Sequence, residues 1–187
     1  MSVLPQSGDV DNRGYTLHVL FVCTGNICRS PIAERLAVAM ADAREIQEFR
    51  ASSAGTRAVI AHPMHSEAAS VLRELGGDSS DFQARQLTQK IAKDADLILT
   101  MTRAHRDRVL ELAPPKLNRT FTLIEAARLR HECGAQTLDD LPRLRSSLAA
   151  DRHFDVADPI GQSPEFFARI GSQIAKLLPS ILELCGR

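Results

Sequence analysis

Cys23 and Arg29 stand six positions apart in the string CTGNICRSP, residues 23–31. Placed between a strand and a helix, such a loop turns successive backbone N–H groups inward. With the helix N-terminus they form a concave site for a tetrahedral anion. Arg29, at the far end of the loop, can offer a planar fork to two oxygens of that anion. The same field favours the thiolate of Cys23 over the thiol, and a thiolate facing an electrophile is a nucleophile. Gly25 is expected to let the backbone turn and approach the ligand closely. A bare Cys and Arg at this spacing could equally be a buried strand-end cysteine and a helix-start arginine, so the flanking elements decide.

Those elements are legible. Residues 17–22, LHVLFV, form a short apolar run with branched and aromatic side chains, as a buried parallel strand requires. Pro31 suits the first turn of a helix, and Ile32, Leu36, Ala39 and Met40 continue it at helical spacing. A second strand is expected over residues 48–53 and a helix over 66–75 that Gly76 and Gly77 can end. ADLILTM (95–101) reads as a third strand, 103–112 as a helix stopped by Pro114 and Pro115, and 120–124 as a fourth strand. Alternation of strands and helices implies a parallel sheet of the α/β class. Residues 128–154 are charged and weakly periodic, so a helical insertion or a mobile surface excursion is expected there. Ser163, Pro164 and Glu165 open a last helix with Phe167, Ile170, Ile174, Leu177, Leu178 and Ile181 on one face, and Pro179 is expected to kink it.

The segment CTGNICRSP after LHVLFV resembles the active-site loop of the low-molecular-weight protein tyrosine phosphatases. The similarity extends from about His18 to Cys185 through Ser53-Ala54-Gly55-Thr56, Ala84-Arg85-Gln86-Leu87 and Asp158-Pro159. It implies a flavodoxin-like single domain with four parallel strands, helices on both faces, and no metal or organic cofactor. It further implies that Cys23 attacks phosphorus while Arg29 and the loop residues Thr24, Gly25, Asn26, Ile27, Cys28 and Ser30 hold the phosphoryl group. Asp158 would protonate the leaving group and later activate water. Taken alone, Asp158-Pro159 reads as a plain turn; Asp155 is near but lacks the following proline. Ser30 would donate to the Cys23 sulfur, cap the helix, or do both. Asn26 and Ser53 match residues that brace the loop. Cys28 would pair reversibly with Cys23 or simply pack at the helix start.

Three positions depart from the family pattern. Aromatic residues that often flank the substrate ring are replaced by Val59 and Ile160, and a histidine that often precedes Ala-Arg-Gln by Phe82. Bacterial relatives that act on phosphoarginine tend to carry Thr where this chain has Ile27, and an apolar residue there favours an aryl group. The expected function is therefore hydrolysis of phosphotyrosine in proteins. Arginine phosphatase, arsenate reductase and a non-catalytic phosphoprotein-binding module stand as alternatives; the reductases typically need a downstream cysteine pair, whereas Cys133 and Cys185 are single and far apart.

The 187 residues suit one domain, with a polar leader over 1–16 and the phosphatase domain over 17–187. Basic and acidic side chains balance at 23 each, so no global field draws the chain to nucleic acid or an anionic membrane. A phosphorylated protein is the expected partner, and the cysteine spacing fits a reducing cytoplasm. His62 with His65, and His131 with Cys133, lack a third metal ligand at matching spacing, and no metal is expected. The arginines of 103–108 read as a solvated helix face.

Overall fold

The apolar run that precedes the loop forms β1 (Leu17–Cys23) in a computed structural model that describes residues 15–148 and 154–186. The expected leader lies outside the described residues except for Tyr15 and Thr16, as do positions 149–153 of the expected excursion. The chain continues through α1 (Arg29–Ala43), β2 (Phe49–Gly55), α2 (Ser66–Glu74), α3 (Gln89–Lys93), β3 (Leu97–Thr100) and α4 (Arg103–Leu112). It then forms β4 (Thr120–Thr122), α5 (Leu123–His131), α6 (Asp140–Leu144) and α7 (Pro164–Cys185).

The four strands are parallel and lie in the order β2-β1-β3-β4. This is the flavodoxin-like α/β arrangement, in which ligands sit beyond the carboxyl ends of the strands where the order reverses. Strand alternation sorts the core into two layers. Val19, Phe21, Cys23, Leu97 and Leu99 pack with α1, α2, α5 and α7, whereas Leu20, Val22 and Ile98 pack with the α3 and α4 side. Helices therefore cover both faces, and the parity of β1 sends Cys23 to the α1 layer. Phe167, Ile170, Ile174, Leu178 and Ile181 of α7 are buried as expected, with Leu177 only partly so, and α7 carries Pro179 and runs on to Cys185.

The strand limits differ from the sequence reading by up to two residues, and two of the differences have a clear physical meaning. The fourth strand ends at Thr122 rather than 124, because Thr122 accepts from the Glu125 N–H while the Glu125 carboxylate accepts from the Thr122 N–H. This reciprocal cap starts α5 at Leu123. In the region read as an excursion, α6 buries Leu141, and Arg145 lies 4.0 Å over the Phe121 ring while donating to Glu125 and the Thr120 carbonyl. Among the described residues, no helix is long and apolar enough to cross a membrane.

The second difference bears on the site: β2 continues past Ser53 to Gly55. A Cβ on Gly55 would lie 2.5 Å from the Thr24 carbonyl oxygen and 3.0 Å from Ala58 Cα, so only glycine lets the end of β2 pass beside the loop after β1. Gly55→Ala is expected to lower stability by roughly 1–3 kcal/mol, the range for overpacking, as read from the midpoint of urea unfolding.

Candidate active site

The loop after β1 is held from outside through its carbonyls. Those of Cys23, Thr24, Gly25 and Ile27 accept from the N–H groups of Thr56, Arg57, Val59 and His65, at 2.9, 2.9, 3.0 and 2.9 Å. Among the described residues, none of the N–H groups of positions 24–28 donates to a protein acceptor. A peptide unit whose acceptor is tied and whose donor is unspent is ready for an anion. The clamping segment, 55–65, is itself held by Gln86, whose side-chain oxygen accepts from the Ala58 N–H at 2.9 Å and whose Nε2 donates to the Thr56 carbonyl at 3.0 Å.

The turn in the loop falls at Asn26, with φ 56°, and not at Gly25 as expected. Asparagine tolerates this left-handed conformation because its short amide can bond locally. Asn26 is fully buried; its Oδ1 accepts from the Arg85 N–H at 2.9 Å, and its Nδ2 donates to Ser53 Oγ at 2.8 Å and Ser30 Oγ at 3.0 Å. Gly25 lines the cavity mouth instead, where a Cβ would make ordinary contact with Ile27 and Val59. Ser30 Oγ lies 2.9 Å from Cys23 Sγ. The side chains of Asn26 and Ser30 thus stand behind the loop, outside the cavity lining.

Arg29 is buried at the start of α1. Its Nη1 donates to the Val156 carbonyl at 2.9 Å and its Nη2 to Asp158 Oδ2 at 2.7 Å, while Nε is buried without a partner. The Asp158 side chain is 49% exposed and stands at the mouth. Asp155 is used differently: its Oδ1 accepts from the Arg103 N–H at 2.8 Å at the start of α4. With the Val156 N–H donating 2.7 Å to the Met101 carbonyl, this anchors the segment to the end of β3 and delivers Asp158 to Arg29.

Cys23, Thr24, Gly25, Ile27, Cys28, Arg29 and Asp158 meet around one cavity of about 280 Å³, with Arg57, Val59 and Ile160 completing its wall. Sequence reasoning missed Arg57 and His105. His105 is buried, lies with Nε2 2.8 Å from Thr24 Oγ1, and has an unpartnered Nδ1. Its only signal was its place in the first turn of α4, soon after a buried strand. The two loop cysteines differ in setting. Burial, together with the Cys23 and Asp158 charges, pushes the Cys28 thiol up to about 12 against the pull of Arg29, so Cys28 stays protonated at neutral pH. Phe82, read as a gap in polar bracing, is buried with the Arg35 guanidinium 5.7 Å from its ring centroid. His65 caps α2 and stacks on Phe167 with centroids 5.0 Å apart, a structural use of that histidine.

Such a pocket can hold a tetrahedral dianion and present sulfur to it, which is the work of a cysteine-dependent phosphatase. Residues 18–134 match the sequence profile of the family described as "Low molecular weight phosphotyrosine protein phosphatase", and the chain belongs to that family. Over 103 residues it is 37% identical to the low molecular weight protein-tyrosine-phosphatase Etp of Escherichia coli K12, a stretch covering 55% of this chain and 66% of Etp. The crystal structure of a low molecular weight protein tyrosine phosphatase from T. tengcongensis superposes with TM-score 0.72 and 32% identity, covering 89% of this chain and 98% of that one. YwlE arginine phosphatase from Geobacillus stearothermophilus superposes with TM-score 0.68 and 27% identity, covering 89% and 91%.

His105 makes the stability of the fold depend on pH. Burial and the nearby Arg29 charge lower its pKa to about 4, against the opposing pull of Asp158 and Asp155. The unfolded chain takes up this proton near pH 6.5 and the folded chain only near 4, so its contribution is complete above about pH 6.5 and lost as pH falls towards 4. Buried His18, its pKa lowered mainly by burial, acts in the same direction. The urea midpoint is expected to fall across that window in wild type and less steeply in His105→Gln.

Proposed function

We propose that the chain hydrolyses phosphotyrosine in proteins through a cysteinyl-phosphate, with Cys23 as nucleophile, Arg29 as phosphate clamp and Asp158 as general acid and base. The observation that carries the reading is the convergence of all three on one cavity, with a hydroxyl 2.9 Å from the sulfur. In the first step Cys23 Sγ forms a bond to phosphorus as the P–O bond to the phenol breaks, and Asp158 gives its proton to the departing oxygen. The unspent N–H groups of residues 24–28 and the Arg29 guanidinium hold the equatorial oxygens, where charge is shared in the transition state. In the second step water attacks phosphorus, Asp158 takes its proton, the P–S bond breaks, and the Ser30 hydroxyl stabilises the sulfur as it leaves. The exposed Asp158 carboxyl can reach both solvent and the leaving group, and its bond to Arg29 places it before substrate arrives.

Substrate class follows from the wall. Ile27, Val59 and Ile160 form an apolar slot above the phosphate site, suited to a phenyl ring even without aromatic neighbours. The similarity to YwlE favours a second reading, phosphoarginine. A guanidinium leaving group needs acceptors at the mouth, and Asp158 is the single carboxylate lining the cavity among the described residues, already shared with Arg29 and the Ile160 N–H. The aryl reading is therefore preferred. Arsenate reduction with an internal cysteine pair is disfavoured. Cys185 lines a hollow with Tyr15 and Leu17 at the opposite end of β1, and burial pushes its thiol up to about 12. The unpaired state of all four cysteines suits action in the reducing cytoplasm on phosphorylated proteins.

Turnover of para-nitrophenyl phosphate and of phosphotyrosine, phosphoarginine and phosphoserine peptides tests the reading. Phosphotyrosine is expected to be preferred, Cys23→Ser to abolish turnover, Cys133→Ser to leave it intact, and Asp158→Asn to lower kcat by roughly 10²-fold or more. Preference for phosphoarginine would establish the second reading, and equal inactivity of wild type and Cys23→Ser would leave a phosphoprotein-binding module.

A further inference from the structure

We propose that Glu34 is a positioning residue that sets the direction of the hydrogen bond reaching the Cys23 sulfur. The inference rests on the reading of Cys23 as nucleophile and extends it to a residue outside the cavity. Ser30 and Glu34 are four apart on α1 and so share a face. Between them Asn26 and Ser53 close a chain of contacts. Ser53 Oγ donates to Glu34 Oε2 at 2.5 Å and accepts from Asn26 Nδ2 at 2.8 Å; Asn26 Nδ2 also donates to Ser30 Oγ at 3.0 Å, and Ser30 Oγ lies 2.9 Å from Cys23 Sγ.

The polarity of this chain is set at both ends. At one, the Arg85 N–H donates to Asn26 Oδ1, which turns both amide hydrogens towards the two serines. At the other, an ionised Glu34 can only accept, so the single Ser53 hydrogen goes to it and the Ser53 oxygen is left to receive Asn26. Ser30 then accepts from Asn26, and its own hydrogen remains for sulfur. Without an acceptor at position 34 the Ser53 hydrogen is free to rotate towards Asn26. The amide then loses its seat, and Ser30 is no longer obliged to donate to Cys23.

The surroundings suit this use. The Glu34 side chain is 17% exposed, and it borders a groove also lined by Arg35, Asp81, Phe82 and Arg85. Arg35 Nε lies 3.9 Å from Glu34 Oε1, Arg85 donates to the Ser53 carbonyl, and Asp81 is the opposing charge. Phe82, in the same groove, has no side-chain hydrogen-bonding group to offer Ser53, and Glu34 supplies the acceptor. Burial raises the pKa of the Glu34 carboxyl, while the Ser53 bond and the charges of Arg35 and Arg85 oppose the rise. The carboxyl thus gains a proton, and with it the ability to donate as well as accept, at a higher pH than an exposed glutamate would.

Glu34→Met, close in shape but without a strong acceptor, and Glu34→Gln, whose carbonyl can still accept from Ser53, form the test. Two readouts are used: kcat and KM on para-nitrophenyl phosphate, and the rate of Cys23 alkylation by iodoacetamide against pH. In Glu34→Met the alkylation midpoint is expected to move up by roughly one pH unit and kcat to fall roughly tenfold, with KM within about twofold, the loss of one hydrogen bond to a charged sulfur. Glu34→Gln is expected to restore both to within about threefold. Ser53→Ala is expected to match Glu34→Met, and the double variant to lose no more than either single one. An unchanged alkylation midpoint in folded Glu34→Met, or a loss that Gln does not restore, overturns the proposal. Should Glu34→Met not fold, Ser53→Ala against Glu34→Gln decides by the same two readouts. Alkylation does not require turnover, so an inactive wild type with a Glu34-dependent midpoint would defeat the hydrolase reading and leave this one standing.

Discussion

Four backbone carbonyls of the loop after β1 are tied to N–H groups of residues 56–65, and the site depends on that clamp. Each bond consumes the acceptor end of a peptide and leaves the donor end for a ligand. The cost of holding backbone in this shape is met by the sheet beneath. β1 lies in register with β2 as far as Cys23 and Gly55, so the clamp starts from a paired strand and not from a free loop. Gly55 is the residue that makes the approach possible, because any side chain there would meet the Thr24 carbonyl. The Gln86 side chain then holds the far side of the clamp, and the wall residue Val59 is placed by the same bonds.

Charge in the site is distributed with similar economy. Arg29 is buried, yet its guanidinium is shared between a carbonyl and a carboxylate that belong to one segment, 154–158, anchored to the end of β3. That segment brings two aspartates, and their partners separate their roles: Asp155 is spent on the N-terminus of α4, and Asp158 faces the cavity. The neighbouring thiol, Cys28, is kept protonated by burial, so the two sulfurs of the loop do not compete as nucleophiles. A buried histidine against Thr24 remains neutral over the range in which an exposed one would gain charge, which spares the site a further cation beside Arg29 and Arg57.

In the proposed reaction, specificity rests on the wall and not on the floor. The floor is built from backbone and Arg29 and would accept any phosphoryl group of the right size, whereas the wall is three aliphatic side chains and one arginine. An aliphatic slot rewards a flat apolar leaving group by burial alone, at roughly 25 cal/mol per Å² of apolar surface, without the directional contribution of stacked rings. The replacement of aromatic wall residues by Val59 and Ile160 is thus a change in how the ring would be held and leaves the phosphate chemistry untouched.

Much of this was legible in the chain because the signals were local. An apolar run ending on Cys23, a polar string closing on Arg29 and Pro31 at the first turn of a helix imply strand, anion loop and helix in order, and alternation of such units implies a parallel sheet. Local pairing also explains one miss: the reciprocal cap of Thr122 and Glu125 lay in the sequence but was outweighed by the apolar pattern of 120–124. The remainder depended on contacts between distant segments. No spacing shows that Glu34 meets Ser53, that His105 meets Thr24, that Asn26 rather than Gly25 turns the loop, or which of two aspartates lines the cavity. The residue types fixed what chemistry was available, since thiol, guanidinium and carboxylate carry it wherever they stand. Which of them share a cavity was decided only when the sheet brought the ends of β1, β2 and β3 together, because hydrogen bonds and burial act over a few ångströms in space and are indifferent to distance along the chain.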